Sequence, residues 1–337
     1  LNLAENQIKY ISKEFHNKIS KSKLIEGDIA MVRTGYPGTC CVIPENMGEL
    51  NCSDLVIIRP NRKRVDSNFL CYFLNSPEGK ASISGNLVGA AQQHFNVGVA
   101  KKIKVNLPNL LSQQKIASIF LAYDDLIENN NQRIKLLEEM AEEIYKEWFV
   151  RLRFPGNQNC KFFDKDDNEV SRDAKGALPE GWCKVKLGER YNISLGGTPS
   201  RVKGEYWNGD IPWINSGKVN DLRVIDASEM ITKVGLDKSA TKLLSKKTTL
   251  LAITGATLGQ VSFLEIDSCT NQSIVGIKDP SSKEDEFIFL TMKEKIKYLM
   301  NYAGGGAQQH INKNIVDEAE IVIPNEEVMK AFIKIVR

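Results

Sequence analysis

Two parts of this 337-residue chain repeat one another, and whatever fold the first adopts the second must share. GAAQQHFNVGVAKKIKVNLPN (89–109) lies against GGAQQHINKNIVDEAEIVIPN (305–325), sharing Gln92-Gln93-His94 with Gln308-Gln309-His310 and Pro108 with Pro324. Upstream and in the same order, Thr34-Gly35 matches Thr254-Gly255, Asn51 matches Asn271, Ser53 matches Ser273 and Pro60 matches Pro280. After Pro324 the chain runs NEEVMKAFIKIVR, the counterpart of NLLSQQKIASIFL after Pro108. Counted along the repeat, the first copy is expected to lack a counterpart of 179–220, its N-terminal part, and the second most of its helix.

Between the copies lies the longest helical pattern, 112–149. Apolar residues recur at Ile116, Ile119/Phe120, Tyr123, Leu126/Ile127, Ile134, Leu137, Met140/Ala141, Ile144 and Trp148, the alternating three-and-four spacing of a heptad seam. Ser112 is available as an N-cap, and Pro155-Gly156 follow the end. At 1.5 Å per residue such a helix is roughly 55 Å long, enough to hold two domains apart. Asn130 falls on an a-type position, where a buried Asn costs stability but selects register. The seam predicts a partner helix, with Tyr123, Ile127, Asn130, Ile134, Leu137, Ile144 and Trp148 as its interface.

The remaining chain reads as strands and turns. KLIEGDIAMVRTG, TCCVIP and DLVIIRP predict strands, NFLCYFLNSPEGKASI a helix, and KKIKVNLP a last strand. RLRFPGNQNCKFFDKDDNEVSRDAKGALPEGW, polar with Gly and Pro, reads as a linker. The organisation is α+β, with two similar β-rich domains joined by a long coiled-coil helix and pseudo-two-fold when complete. Its parts are a first domain (1–108), a spacer helix (109–152), a linker (153–177), a second domain (178–324) and the start of a second spacer helix (325–337).

Composition excludes more than it selects. A chain that is 42% hydrophobic and 26% charged is globular rather than disordered, and its net charge of +3 announces no nucleic-acid partner. Only local clusters such as Arg59, Arg62-Lys63-Arg64, Lys242 and Lys246-Lys247 hint at a basic face. Seven cysteines without a C-x-x-C pair argue for a reducing compartment and against zinc. No apolar run has the length of a membrane span. Catalytic signatures are absent as well: no phosphate-binding G-x-x-x-x-G-K-[ST], no dinucleotide fingerprint around Gly304-Gly305-Gly306, no Pro-Pro for an amino-methyltransferase motif, and no G-x-S-x-G. The three histidines, at 16, 94 and 310, lack metal-ligand spacing. The chain is expected to be no enzyme and to hold no metal.

LPEGW (178–182) with KLG (186–188), GGTPSR (196–201), EYWNGDIPWI (205–214), ITGATLG (253–259) and GGAQQHI (305–311), ordered around a long helix with QQKI (113–116) at its entry and KEWF (146–149) at its exit, carry a resemblance. The whole chain resembles the specificity subunit of type I restriction-modification systems. The resemblance implies two target-recognition domains that bind double-stranded DNA, and a spacer helix whose length sets the distance between two half-sites. It also implies docking of methyltransferase subunits, two of them, along the exposed surface of 112–149, with restriction subunits recruited through that complex, in the cytoplasm of a bacterium or archaeon. S-adenosylmethionine, ATP and magnesium would be bound by the partners, with no cofactor in this chain. A coiled-coil scaffold binding protein at its β-rich ends, and the recognition module of a fused restriction-methylation enzyme, are the alternatives.

Base reading needs donor and acceptor pairs, Gln or Asn for adenine and Arg or Lys for guanine. Gln92, Gln93, Gln308 and Gln309 qualify, but near-identity in two domains that should read different bases favours shared scaffold or phosphate contacts. Discrimination belongs where the copies differ: Arg33 faces Ile253 and Tyr36-Pro37-Gly38 faces Ala256-Thr257-Leu258-Gly259, with the shared Thr34-Gly35 and Thr254-Gly255 between them as further DNA-binding candidates. Thr198, Ser200, Arg201, Lys203, Asn215, Ser216 and Lys218 lie on polar turns that could enter a groove. Arg62, Lys63 and Arg64 are candidates for phosphate. Trp182, Trp207 and Trp213 are expected as core anchors.

Overall fold

The computed structural model describes residues 8–85, 96–303 and 310–337. The chain divides into two compact units, Leu1–Arg133 and Ile134–Arg337.

In the first unit Ile29–Val32 is the middle strand of an antiparallel sheet, flanked by Cys40–Val42 and Leu55–Ile58. Successive side chains of a strand point to opposite faces. Ile29 and Met31 therefore join Cys40, Val56, Cys71, Leu74 and Ile83 in one cluster, while Ala30 faces Leu24 and Ile43 on the other side. Lys23–Leu24 pairs separately with Leu50–Asn51. The expected single helix is two, Ser67–Asn75 and Pro77–Ser84, because Pro77 cannot continue a helix that precedes it. Ser76 instead caps the second helix, accepting the Gly79 N–H at 3.1 Å.

The second unit repeats this plan and extends it. Thr249–Ala252 is flanked antiparallel by Val261–Leu264 and Ile274–Lys278, and Leu243–Leu244 pairs with Ser268–Thr270, in the order and directions of the first unit. Asn192–Leu195 and Arg223–Val224 complete a five-stranded sheet, while Trp207–Ile214 and Glu229–Ile231 complete a four-stranded one. The backbone repeats down to its left-handed residues: Gly35 and Gly38 (φ 79° and 88°) match Gly255 and Gly259 (φ 75° and 85°), and Gly27 (φ 75°) matches Lys247 (φ 67°). The central strands are buried on both faces. Leu251, Phe263, Val275 and Ile277 face the helix Asp285–Met300, whereas Leu250, Ala252, Leu264 and Ile274 form a second cluster with Ile214 and Val224.

The expected strand KKIKVNLP does not form: residues 101–108 are not paired. Its counterpart Glu320–Ile323 is a strand because Cys183–Lys186 lies antiparallel to it, and no described residue of the first unit pairs with 101–108 in that way. A second difference concerns 153–177, expected as a linker. It contains Phe162–Phe163 and Glu169–Val170, which make a small sheet with Leu178–Pro179, and Phe154 and Phe162 are buried.

The long helix runs Leu110–Tyr145 and ends in a π-helical turn, Lys146–Val150. Asn109, not Ser112, is its cap: the Asn109 side chain accepts the Ser112 N–H at 2.9 Å. Asn325 caps Glu326–Val336 the same way, through the Val328 N–H at 3.0 Å. At the entry Gln113 is fully buried, accepting from the Asp66 N–H at 3.0 Å and donating to the Arg64 and Pro108 carbonyls at 3.0 and 2.8 Å. At the exit Tyr145 and Trp148 are buried in the second unit's core, where Phe149 packs on Phe332 and Phe287 at 4.8 and 5.1 Å between ring centroids. The seam therefore stops short of its expected end. Trp148 is a core residue and Ile144 packs against that core, so neither faces outward, while every residue from 121 to 137 is exposed.

Phe332 is fully buried among Tyr145, Trp148, Phe149 and Phe287. Phe332→Ala should destabilise the second unit by about 3–5 kcal/mol, whereas Leu137→Ala, on the exposed seam of the same unit, should stay within about 0.5 kcal/mol. All four tryptophans, Trp148, Trp182, Trp207 and Trp213, lie in the second unit, so urea titration followed by indole fluorescence reads both variants.

Candidate nucleic-acid interface

In the first unit the turn after Ile29–Val32 carries Arg33 to Tyr36. Asp54 organises it: its carboxylate accepts from the Thr34 hydroxyl at 2.6 Å and lies 3.9 Å from the Arg33 guanidinium. Gly38 turns the chain back, donating to the Val32 carbonyl at 3.0 Å. A Cβ on Gly38 would stand 2.8 Å from Ile83 on the helix Pro77–Ser84, so a glycine is required by both space and φ. Tyr36 is left at the tip, 83% exposed.

The second unit reproduces the turn with other side chains. Gly259 donates to the Ala252 carbonyl at 2.9 Å and would meet Met300 if it carried a Cβ. Thr254, Gly255 and Thr257 form the tip, and Thr254 bridges His310. Gln92, Gln93, Gln308 and Gln309 lie outside the described residues.

The GGTPSR loop is pinned from below. Gly196 and Gly197 pass so close to neighbouring backbone that a Cβ would stand 2.2 Å from the Asn271 carbonyl or 2.6 Å from the Thr241 nitrogen. The buried indole of Trp213 donates to the Gly197 carbonyl at 3.1 Å, and Trp207 donates to the Ser200 carbonyl at 3.2 Å. Both rings are anchors, as expected, but they also hold the loop. Arg201 lies 3.7 Å over the Trp207 ring with its guanidinium forked on the Glu229 carboxylate, one of the two bonds being 2.7 Å. Thr198 donates to the Gln272 side-chain oxygen at 2.5 Å, and Ser200 is exposed.

The charges of this surface are mostly spoken for. Lys218 bonds to Asp226 and lies 3.6 Å from Asp221, and Lys203 lies 3.0 Å from the Tyr206 hydroxyl. Asn215 spends its side-chain oxygen on the Gly217 N–H at 2.9 Å, next to half-buried Ser216. In the first unit Arg62 bonds to the Glu26 carbonyl, and Arg59 forks on buried Asp28 at 2.8 and 2.6 Å. Lys63 and Arg64 are exposed and have no ion pair among the described residues. Sequence reasoning did not single out the partners Asp54, Glu229, Asp226 and Gln272. Their pairing depends on strands brought together from distant parts of the chain, although the matched frame Asn51-Cys52-Ser53 and Asn271-Gln272-Ser273 does mark position 272 as one where the copies differ.

Burial of Asp28 favours its neutral form, but the forked Arg59 and the Ile25 N–H outweigh it and hold the carboxyl below the usual range, while the same contact raises Arg59. A depressed acid contributes stability above its unfolded value, about 3.9, and loses it as pH falls through the folded value. Asp28→Asn should therefore cost the first unit about 1–3 kcal/mol at pH 7 and then show a smaller further loss than wild type below about pH 4. Amide hydrogen exchange of the strand Ile29–Val32 measures both.

With that geometry in hand, three comparisons bear on the chain. The family described as type I restriction modification DNA specificity domain matches residues 3–139 and 179–336. The type I restriction enzyme HindI specificity subunit of Haemophilus influenzae is 25% identical over 333 residues, covering 83% of this chain and 72% of its own length. The MjaIX specificity subunit of Methanocaldococcus jannaschii is 21% identical over 276 residues, covering 81% of this chain and 62% of its own. Among solved structures, the S subunit of the type I system from M. genitalium shares the fold, with a TM-score of 0.52 at 16% identity over 94% of this chain and 77% of that one.

Proposed function

The chain belongs to the type I restriction modification DNA specificity family, matched in two successive segments, and from that premise we propose how it divides the work of recognition. It is a non-catalytic specificity subunit that reads a bipartite target in double-stranded DNA, one half-site per unit. The observation that carries this is the repeat itself: two units share strand order and left-handed turn residues, yet differ on the same turn, where half-buried Arg33 and exposed Tyr36 stand against buried Ile253 and exposed Ala256. A shared backbone gives both units one way of docking on a duplex, and divergent tips let them read unrelated bases.

The turn 33–36, the turn 254–257 and the loops 198–218 are the reading surface in this proposal. Because Arg201 and Lys218 are already paired with carboxylates, they act first as supports of their loops and contact DNA only by exchanging that partner. Lys63 and Arg64, unpaired, serve as phosphate contacts in the first unit.

The long helix acts as the spacer between half-sites. Its exposed stretch, with Tyr123, Ile127, Asn130, Ile134 and Leu137, offers the surface on which methyltransferase subunits assemble, two in number and bringing the restriction subunits with them. The methyl donor, ATP and magnesium belong to those partners, and the complex works in the cytoplasm. No helix among the described residues is long and apolar enough to cross a membrane.

Selection from a randomised duplex pool by the full chain with its methyltransferase partner tests the reading. Two short motifs separated by a constant run of unspecified bases are expected. Retention without such a motif would sink the proposal and favour a protein-binding scaffold. In the same assay Lys63→Ala with Arg64→Ala should leave the motifs unchanged and flatten the dependence of log affinity on log salt by about one to two units.

A further inference from the structure

Beside the reading surface, bonded to its Thr198, one uncharged side chain combines exposure, a prepared orientation and divergence between the copies. The turn after Ser268–Thr270 carries Asn271, Gln272 and Ser273; its counterpart in the first unit carries Asn51, Cys52 and Ser53. Asn and Ser are common to both, and only the middle residue differs. In the second unit the Asn271 side chain is committed inward, accepting the Ser273 N–H at 3.1 Å, and the Asn271 N–H donates to the Ile214 carbonyl at 3.0 Å. The frame is thus fastened by its shared residues, and the variable one, Gln272, is exposed.

Gln272 is not loose. Its amide oxygen accepts from the Thr198 hydroxyl at 2.5 Å, and Thr198 belongs to the loop that Gly196, Gly197, Trp207 and Trp213 hold down. A carbonyl oxygen has two lone pairs and an amide nitrogen two hydrogens. With Thr198 on one lone pair, Gln272 keeps one acceptor and its NH₂ group for a ligand. That is the pattern complementary to adenine in the major groove, whose N6 donates and whose N7 accepts. A side chain oriented before binding also loses less rotamer freedom on binding. The neighbouring cations Arg201 and Lys218 are paired with carboxylates and lack this readiness.

We propose that Gln272, oriented by Thr198, reads one adenine in the half-site of the second unit. This rests on the DNA-reading function proposed above. Thr198 is a positioning residue: it fixes which edge of the amide faces outward.

The test uses the full chain with its methyltransferase partner, first on a randomised duplex pool and then on the selected duplex carrying 7-deazaadenine, which lacks the N7 acceptor, at each adenine in turn. Gln272→Ala should relax preference at a single adenine position in one motif by roughly tenfold, leaving the other motif intact. Thr198→Val should weaken the same position and no other. On wild type 7-deazaadenine should cost affinity at that position, and on Gln272→Ala it should cost nothing further there. If Gln272→Ala leaves every position unchanged, lowers all equally or relaxes a position other than adenine while both motifs persist, the inference is wrong and the recognition reading stands. If wild type selects no bipartite motif, the recognition reading fails and this inference falls with it.

Discussion

The long helix is built into a hydrophobic core at its exit and hydrogen-bonded into a buried niche at its entry. At the exit the burial is aromatic: Tyr145, Trp148 and Phe149 fill a space lined by Phe287 and Phe332, and Phe149 reaches Trp182. Glu138 and Glu142 add ion pairs to Arg223 and Lys293 on the same unit. At the entry buried Gln113 bonds one N–H and two carbonyls, and Tyr72 packs on Phe120 and donates to Asp124. Each end is fastened within its own unit, so turning the helix there would break packing or hydrogen bonds. The stretch 121–137 between these anchors is exposed.

The loops proposed to read DNA follow the same logic on a smaller scale. Polar loops lose entropy when they are ordered on a ligand, and here that ordering is largely done in advance. Close glycine contacts, two indole N–H bonds and the stacked, carboxylate-paired Arg201 support residues 196–203. In the same proposal, pairing cations with Asp and Glu limits indiscriminate binding of polyanions, in line with a net charge of only +3. In the recognition we propose, discrimination falls to neutral side chains and to exchange of ion-pair partners, which depend on geometry more than on total charge.

Much of the fold was legible in the residues. Repeat blocks such as Thr34-Gly35 with Thr254-Gly255 mark equivalent turns with left-handed glycines, and strand order follows the same blocks. The three tryptophans of the second half were expected as anchors, and the long helix as a single element. The failures have local causes. Residues 101–108 have the composition of a strand but no pairing strand among the described residues, and a strand's backbone groups need one. Ser112 has a capping side chain, but Asn109 lies where the first free N–H groups point. Trp148 continues the heptad spacing, yet that spacing does not say whether a residue meets a partner helix or the domain the helix enters.

Periodicity and internal repetition, which are local or compare like with like, determined the two-unit plan, the helix and the turns that face the same way in both copies. Tertiary structure alone decided which polar residues are available. Whether Arg201 is free or tied to Glu229, and whether an exposed Gln272 is loose or held by Thr198, depends on contacts between residues 28 and 74 positions apart in the chain. Such contacts exist only once the strands that carry them have paired, and the chemistry of a binding surface is set by the groups those contacts leave unspent.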